Sequence, residues 1–355
     1  MRRAHNALPG VGRHAPSSPA ISPAAMRAAF YDRQGPAHEV LQLGDLPTPE
    51  PGPGEVRVRV HASAVNPSDT KARSGWGGGA MPFPRVIPHQ DGAGVIDAVG
   101  AGVPASRVGE RVWVYEAQRG RAGGTAAEFT VVPAAQAVAL PNGVGFDVGA
   151  CLGVPAMTAH RALLADGPVT GRAVLVQGGA GAVGLAAVLL ARWAGARVLA
   201  TVSRPEQAAV AEAAGAHAVI NRHTEDVAAR VRGETGGVGV DRIVEVDLAA
   251  NLDADLACLA PNGVISAYAS ASPDAAAALP VRRAMTQGAV VRTLLVYSMG
   301  AQAHADAVRD VTACLTAGAY RPVVGLRLPL ERAADAHAAQ DAGATVGKIV
   351  LAVAG

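Results

Sequence analysis

Cysteine, lysine and surplus charge are all scarce in this chain, and each scarcity closes off a class of function. The cysteines are Cys151, Cys258 and Cys314, far apart and without a CxxC pair or a Cys/His cluster. Neither a disulfide framework nor a cysteine-based zinc site is supported, and a reducing cytoplasm is the expected compartment. Lysine occurs only at Lys71 and Lys348; the other basic residues are arginine, and 31 basic against 29 acidic residues leave a net charge of +2. So small a surplus gives no electrostatic footprint for nucleic acid. Long apolar runs are missing too. Ala182 to Ala191 is closed by Arg192, well short of the about 20 residues that a bilayer requires, so no membrane span is expected. The 42 glycines and 24 prolines form no repeat, which excludes collagen-like and wholly disordered readings.

What is present is a chain of 355 residues, 50% hydrophobic and 17% charged. Single cores stop growing near ~250–300 residues, so two domains are expected. Residues 1–25 are rich in Pro, Ala, Ser and Arg, and they lack both acidic residues and the apolar core of a secretory signal. They read as a disordered extension, or as the product of a start at Met1 in place of Met26, with an organellar transit peptide as the alternative. From Met26 to about 150 short strands dominate. Glu55 to Val60 alternates with period two and sets Val56, Val58 and Val60 on one face. Further strands are expected at 92–99, 110–115 and 127–132. After a helix at 156–165 the rhythm becomes β-α-β: strands at 173–177, 197–202, 218–221, 241–246 and 264–268, and helices at 182–194, 205–214 and 225–232. Continuous apolar runs such as Val174 to Val176 suit parallel strands covered on both faces. Helices at 303–317 and 330–340 and a closing strand at 348–353 complete the reading.

The sharpest motif follows the strand at 173. Gly179, Ala180, Gly181, Ala182, Val183 and Gly184 spell G-x-G-x-x-G between an apolar strand and a helix, the context in which the first glycine makes the turn, the second admits a pyrophosphate and the third packs helix on strand. The helix N-terminus adds free N–H groups for phosphates. The next strand ends at Val202 where an NAD site usually carries an acid, and Ser203 and Arg204 follow, with Arg222 after the strand beyond. A hydroxyl and guanidinium groups suit a 2′-phosphate, so the expected cofactor is NADPH.

The segments VNPSDT (65–70), DGAGV (91–95), VGERV (108–112), GVPAMTA (153–159), the glycine turn and GATVGK (343–348) follow in order. Together they resemble the medium-chain dehydrogenase/reductase superfamily, in its zinc-free quinone oxidoreductase (zeta-crystallin-like) branch, from about Met26 onward. The resemblance implies an α/β fold class: a GroES-like β-rich catalytic domain (26–150, completed by 291–355) with an inserted Rossmann domain (151–290), and the active site between them. It implies a homodimer that reduces quinones or related conjugated carbonyls such as enones. It places Asn66, Asp69 and Lys71 at the nicotinamide end as catalytic candidates, with Lys71 standing where the family commonly has Tyr. Thr158, the run Ala267, Tyr268 and Ala269, and the run Leu294, Leu295 and Val296 would contact the nicotinamide half, and Lys348 would reach a cofactor phosphate. Zinc-dependent relatives bind metal at three positions that register here to Asn66, Gln90 and Val154, none a usual strong zinc ligand, so no metal is expected. Without a metal the acceptor must be conjugated, and the protein contributes mainly proximity. Two alternatives are an alkenal or enoyl-thioester double-bond reductase of the same superfamily and a non-catalytic NADPH-binding protein.

Overall fold

A computed structural model describes residues 25–353. The expected extension lies outside the described residues, apart from Ala25, which opens the first strand. The first part of the chain contributes β1 (Ala25–Phe30), β2 (Gln42–Pro47), β3 (Glu55–Val65), β4 (Asp91–Val99), β5 (Arg111–Val114), β6 (Phe129–Pro133) and β7 (Ala137–Ala139). The middle contributes β8 (Ala173–Val176), β9 (Arg197–Val202), β10 (Ala218–Asn221), β11 (Val240–Glu245), β12 (Leu259–Ala267) and β13 (Val290–Thr293), and the tail adds β14 (Val324–Pro329) and β15 (Lys348–Ala352).

The alternation read along β3 is real. Val56, Val58 and Val60 are all buried, and Val56 and Val58 pack with Ile96, Val112 and Val132, each burial contributing roughly 1.5–3 kcal/mol. One seven-stranded sheet runs β14-β15-β3-β4-β5-β7 with β6 on β3, and β15 pairs antiparallel with β3. The tail therefore returns to the first sheet. It does so later than the expected boundary at 291. β13 belongs to the other sheet, and the helix Ala301–Thr316 buries Ala307, Val311 and Cys314 in the core that also contains the helices Val154–Leu164 and Ala182–Trp193. Polar residues spaced along that helix hid which domain its apolar stripe serves.

The second sheet is wholly parallel, in the order β10-β9-β8-β11-β12-β13. The chain winds outward from β8 to β10, then returns to β11 beside β8 and winds the other way. Ligands of such sheets bind beyond the carboxyl ends of the strands at this point of reversal. Gln177 and Gly178 follow β8 there, and Val246 and Asp247 follow β11. No described helix is long and apolar enough to cross a membrane.

Candidate active site

The glycine turn differs in one detail from its expected mechanics. Gly178, not Gly179, carries the left-handed backbone, at φ 69°. Gly179 is required for space, since a Cβ there would stand 2.7 Å from the Cβ of Ala200 on β9. A Cβ on Gly184 would lie 2.1 Å from the Gly178 carbonyl oxygen, so only glycine lets the helix Ala182–Trp193 start this close to the turn. At Gly181 the nearest protein atom to such a Cβ is 3.4 Å away. The protein leaves that side open, as an approaching pyrophosphate demands.

These residues floor a channel of about 540 Å³ between the two domains, lined by Gly178, Ala180 to Val183, Ser203, Arg222 and Asp247 on one side and by Asn66, Lys71, Gln340 and Gly343 on the other. The residues present fit a phosphorylated dinucleotide: a glycine cradle, an open helix N-terminus and a basic far end. At that end Arg222 Nε donates to Ser203 Oγ at 2.9 Å, and both line the channel. Arg204 is turned elsewhere. It pairs with Glu206 at 2.7 Å and donates to the Ala344 carbonyl at 3.2 Å. Gln207 Oε1 accepts from the backbone N–H groups of Ser203 and Arg204.

The channel opens into a second cavity of about 830 Å³, mostly apolar, to which Ala267, Tyr268, Ala269, Leu294, Leu295, Val296 and Thr158 contribute. Lys71, Val154, Val183 and Asp247 line both spaces and mark their junction. Lys71 Nζ donates to the Ser270 carbonyl at 3.1 Å and stands 4.1 Å from the centroid of the Trp76 ring. Burial lowers its ammonium below the usual lysine range, and no carboxylate pairs with it among the described residues. Ser68 Oγ and the Tyr297 hydroxyl meet at 2.8 Å across the cavity wall, joining the two domains. Burial, then the charge of Asp69, holds the Tyr297 phenol well above its usual range, so it stays protonated.

Asn66 and Asp69 behave differently from Lys71. Asn66 begins the helix Pro67–Ser74 and touches the channel, but its amide donates to Asp91 Oδ2 at 2.8 Å. Asp69 reaches back to the Asn66 N–H at 2.7 Å, capping the helix start from its buried side, and it lines neither cavity. Burial, then the Asp91 charge, pushes its carboxyl up to about 7. Its place is structural, a correction to its expected position at the nicotinamide. Lys348 is a second correction. Its Nζ is buried beneath the site, donating to the Val65 carbonyl at 2.8 Å and to Asn66 Oδ1, with Asp91 Oδ2 at 3.9 Å. Gly347 and Ile349 line the channel, while Lys348 between them, at the start of β15, is turned inward and buried. Asp91 also accepts from the Val154 N–H at 2.9 Å and 3.0 Å, so one carboxylate ties Asn66 and the helix at Val154 together. Burial outweighs Lys348 and lifts that carboxyl to about 6.

The same bonds bear on zinc. Asn66 is committed to Asp91 and Lys348, Val154 offers an apolar side chain, and Gln90 donates to Gln118 at 3.1 Å. His89 bonds to Ser63 and His337, away from both cavities. Among the described residues no group of His, Cys, Asp or Glu is placed to hold a metal. This donor set does not suit zinc. Sequence reading missed the Ser68–Tyr297 bond. Ser68 and Tyr297 are 229 residues apart, and nothing local to either marks the contact.

A parallel sheet with a dinucleotide channel at its point of reversal, set against a β-rich domain that closes an apolar cleft, defines a two-domain oxidoreductase. Family models agree: residues 52–142 match the alcohol dehydrogenase GroES-like domain and residues 182–315 the zinc-binding dehydrogenase domain. The quinone oxidoreductase of Lama guanicoe is 35% identical over 318 residues, covering 88% of this chain and 93% of that protein. The 2-haloacrylate reductase of a Burkholderia species is 32% identical over 305 residues, covering 82% and 88%. A mycobacterial protein solved in complex with NADPH superposes with a TM-score of 0.80 at 30% identity, covering 92% of this chain and 99% of that one. The chain belongs to the quinone oxidoreductase family of the medium-chain dehydrogenase/reductase superfamily.

Proposed function

We propose that the chain is an NADPH-dependent, metal-independent reductase of quinones or related conjugated carbonyls. One observation carries this reading: the nucleotide channel runs into an apolar cleft, and the two meet at a single unpaired ammonium, Lys71. The mycobacterial relative bound to NADPH and the basic end formed by Ser203 and Arg222 support the phosphorylated cofactor. Bound NADPH supplies the hydride. The chain aligns the acceptor in a cleft that excludes much of the water, which strengthens every charge interaction inside it. Lys71 then faces the oxygen on which negative charge grows, in place of a zinc ion, and the protonated Tyr297–Ser68 pair offers a hydroxyl donor in the same wall.

NADPH oxidation across a panel of quinones, enones and enals tests this. Turnover is expected, and Lys71→Met should lower kcat about a hundredfold, the scale of losing one oxyanion partner, with NADPH affinity retained. NADPH binding without oxidation of any acceptor would overturn the enzyme reading in favour of a non-catalytic binder. A second reading, reduction of a carbon–carbon double bond conjugated to an acid or thioester, is favoured by the 2-haloacrylate reductase relative; the same panel extended to enoates and enoyl thioesters separates the two.

We also propose a homodimer. β13 is an edge strand, and Val281, Met285, Val290 and Leu295 around it are 43–75% exposed, an apolar edge that a second copy would cover. The three cysteines are buried and unpaired, in keeping with a cytoplasmic setting.

A further inference from the structure

Beneath the nucleotide channel lies a chain of buried polar groups that the reaction above does not use. The Gly178 N–H donates to Thr201 Oγ1 at 3.0 Å, Thr201 donates to Gln177 Oε1 at 2.7 Å, and Gln177 Nε2 donates to Asp255 Oδ1 at 2.9 Å. After the neighbouring strand β11, the Asp247 N–H and Asn251 Nδ2 both donate to Glu245 Oε1, the latter at 2.9 Å. Gln177, Gly178, Thr201, Asp247 and Asn251 all line the channel. The two sets of bonds therefore end on two carboxyl groups, Asp255 and Glu245, both fully buried.

Each carboxyl group has one oxygen left over. Asp255 Oδ2 and Glu245 Oε2 have no hydrogen-bond partner. Two ionised carboxylates only accept, so both oxygens would stay unsatisfied and repel each other, at a cost a buried site does not tolerate. A single proton between them removes both faults. We propose that Asp255 and Glu245 share one proton and act as a positioning pair for the dinucleotide, holding the glycine turn and the segment that follows β11 in register and keeping the pair's own charge beneath the pyrophosphate at one unit instead of two. The inference rests on the NADPH reading.

Burial first, then Glu245, lifts the Asp255 carboxyl to about 9, so the proton is retained through the neutral range. No cation relieves the pair. On the same helix, Leu248–Cys258, Asp253 is exposed and faces Arg283 at 3.7 Å, and burial keeps the Cys258 thiol protonated. From the helix Val227–Glu234, Arg232 donates instead to the Ala257 and Gly237 carbonyls. On β11, Arg242 donates to the Leu163 and Asp166 carbonyls, and Asp241 bonds to Arg172. β12 carries no ionisable residue, Gln177 and Thr201 are neutral, and Asp247, whose N–H bonds Glu245, adds a further carboxylate on the channel wall. Tyr268, beyond the end of β12, is held protonated by burial and then by Glu245.

The test is NADPH affinity, read by nicotinamide fluorescence, from pH 6 to 10 in wild type, Asp255→Asn and Asp255→Leu. Wild-type Kd should stay level to about pH 9 and then rise by up to tenfold per unit as the shared proton leaves. Asp255→Asn replaces the shared proton with a permanent amide donor. It should keep Kd within about threefold at pH 7 and lose the alkaline rise, while Asp255→Leu, which orphans Gln177, should weaken binding about tenfold at every pH. A readout without NADPH runs alongside. An acid whose folded-state value is raised loses stability as pH climbs from its unfolded to its folded value. The denaturation midpoint of Asp255→Asn should therefore pull ahead of wild type between about pH 4 and 9 and hold its lead above that. An alkaline rise that survives in Asp255→Asn, or a midpoint gap that ignores pH, overturns the shared proton. Wild type that fails to bind NADPH at pH 7 overturns the cofactor reading instead, and the midpoint gap then still decides the proton.

Discussion

Two arginines were legible as partners for a 2′-phosphate, and their placement ranks them against their order in the sequence. Arg204 lies two residues past the strand end but is already engaged by Glu206 and the Ala344 carbonyl. Arg222 donates to Ser203 Oγ on the channel wall. A charge-assisted bond to a phosphate contributes roughly 1.5–3 kcal/mol, which is about tenfold to a hundredfold in Kd. Arg222→Ala should therefore weaken NADPH by about that factor and leave NADH nearly unchanged. Arg204→Ala should cost no more than about fivefold, the scale of an exposed ion pair. Fluorescence titration of both nucleotides at low and moderate salt is the assay, and the NADPH penalty of Arg222→Ala should shrink as salt screens it. An Arg222→Ala variant that loses NADH and NADPH equally, or an Arg204→Ala variant that loses more NADPH than Arg222→Ala does, would refute the assignment.

Lys348→Met should act on the fold before it acts on the cofactor. Removing the ammonium strands Asp91 and the Asn66 carbonyl in a buried site, so chemical denaturation should show a loss of ~3–5 kcal/mol, whereas a lysine on a phosphate would mainly raise the NADPH Kd. Met285→Glu places a charge on the exposed apolar edge beside β13; sedimentation velocity should find a dimer for wild type and a monomer for the variant, and equal sedimentation would remove that edge from the interface.

Local constraints were readable in the sequence. The glycine turn announced itself because Gly179 and Gly184 answer steric demands of their close surroundings and Gly181 leaves room for a ligand, although the left-handed position at Gly178 was assigned one residue late. Strand β3 announced itself through the alternation of Val56, Val58 and Val60. Long-range burial was not readable. Lys348 sits in a motif that resembles a cofactor contact, yet strand register turns it beneath Asn66. The helix Leu248–Cys258 was missed because Asn251, Asp253 and Asp255 make it look polar. Asp255 is drawn in by Gln177, 78 residues away, and Asn251 by Glu245 at the end of β11. Asp69 was read as catalytic because it falls within the family motif, and only the bond to its own helix start shows what holds it there.

Strand β15 lies inside its sheet, between β14 and β3, not at an edge. During synthesis the early antiparallel strands thus wait with the Ala62–Val65 end of β3, beyond the part that β6 covers, unpaired on one side until the chain has been made through Ala352, by which time the whole parallel sheet has left the ribosome. The nucleotide-binding half can fold first and bring the ends of the other half together. Premature termination a few codons before Lys348 would leave an open, adhesive border in place of a closed sheet, and such a product should be found in aggregates or degraded, not as a weakened enzyme.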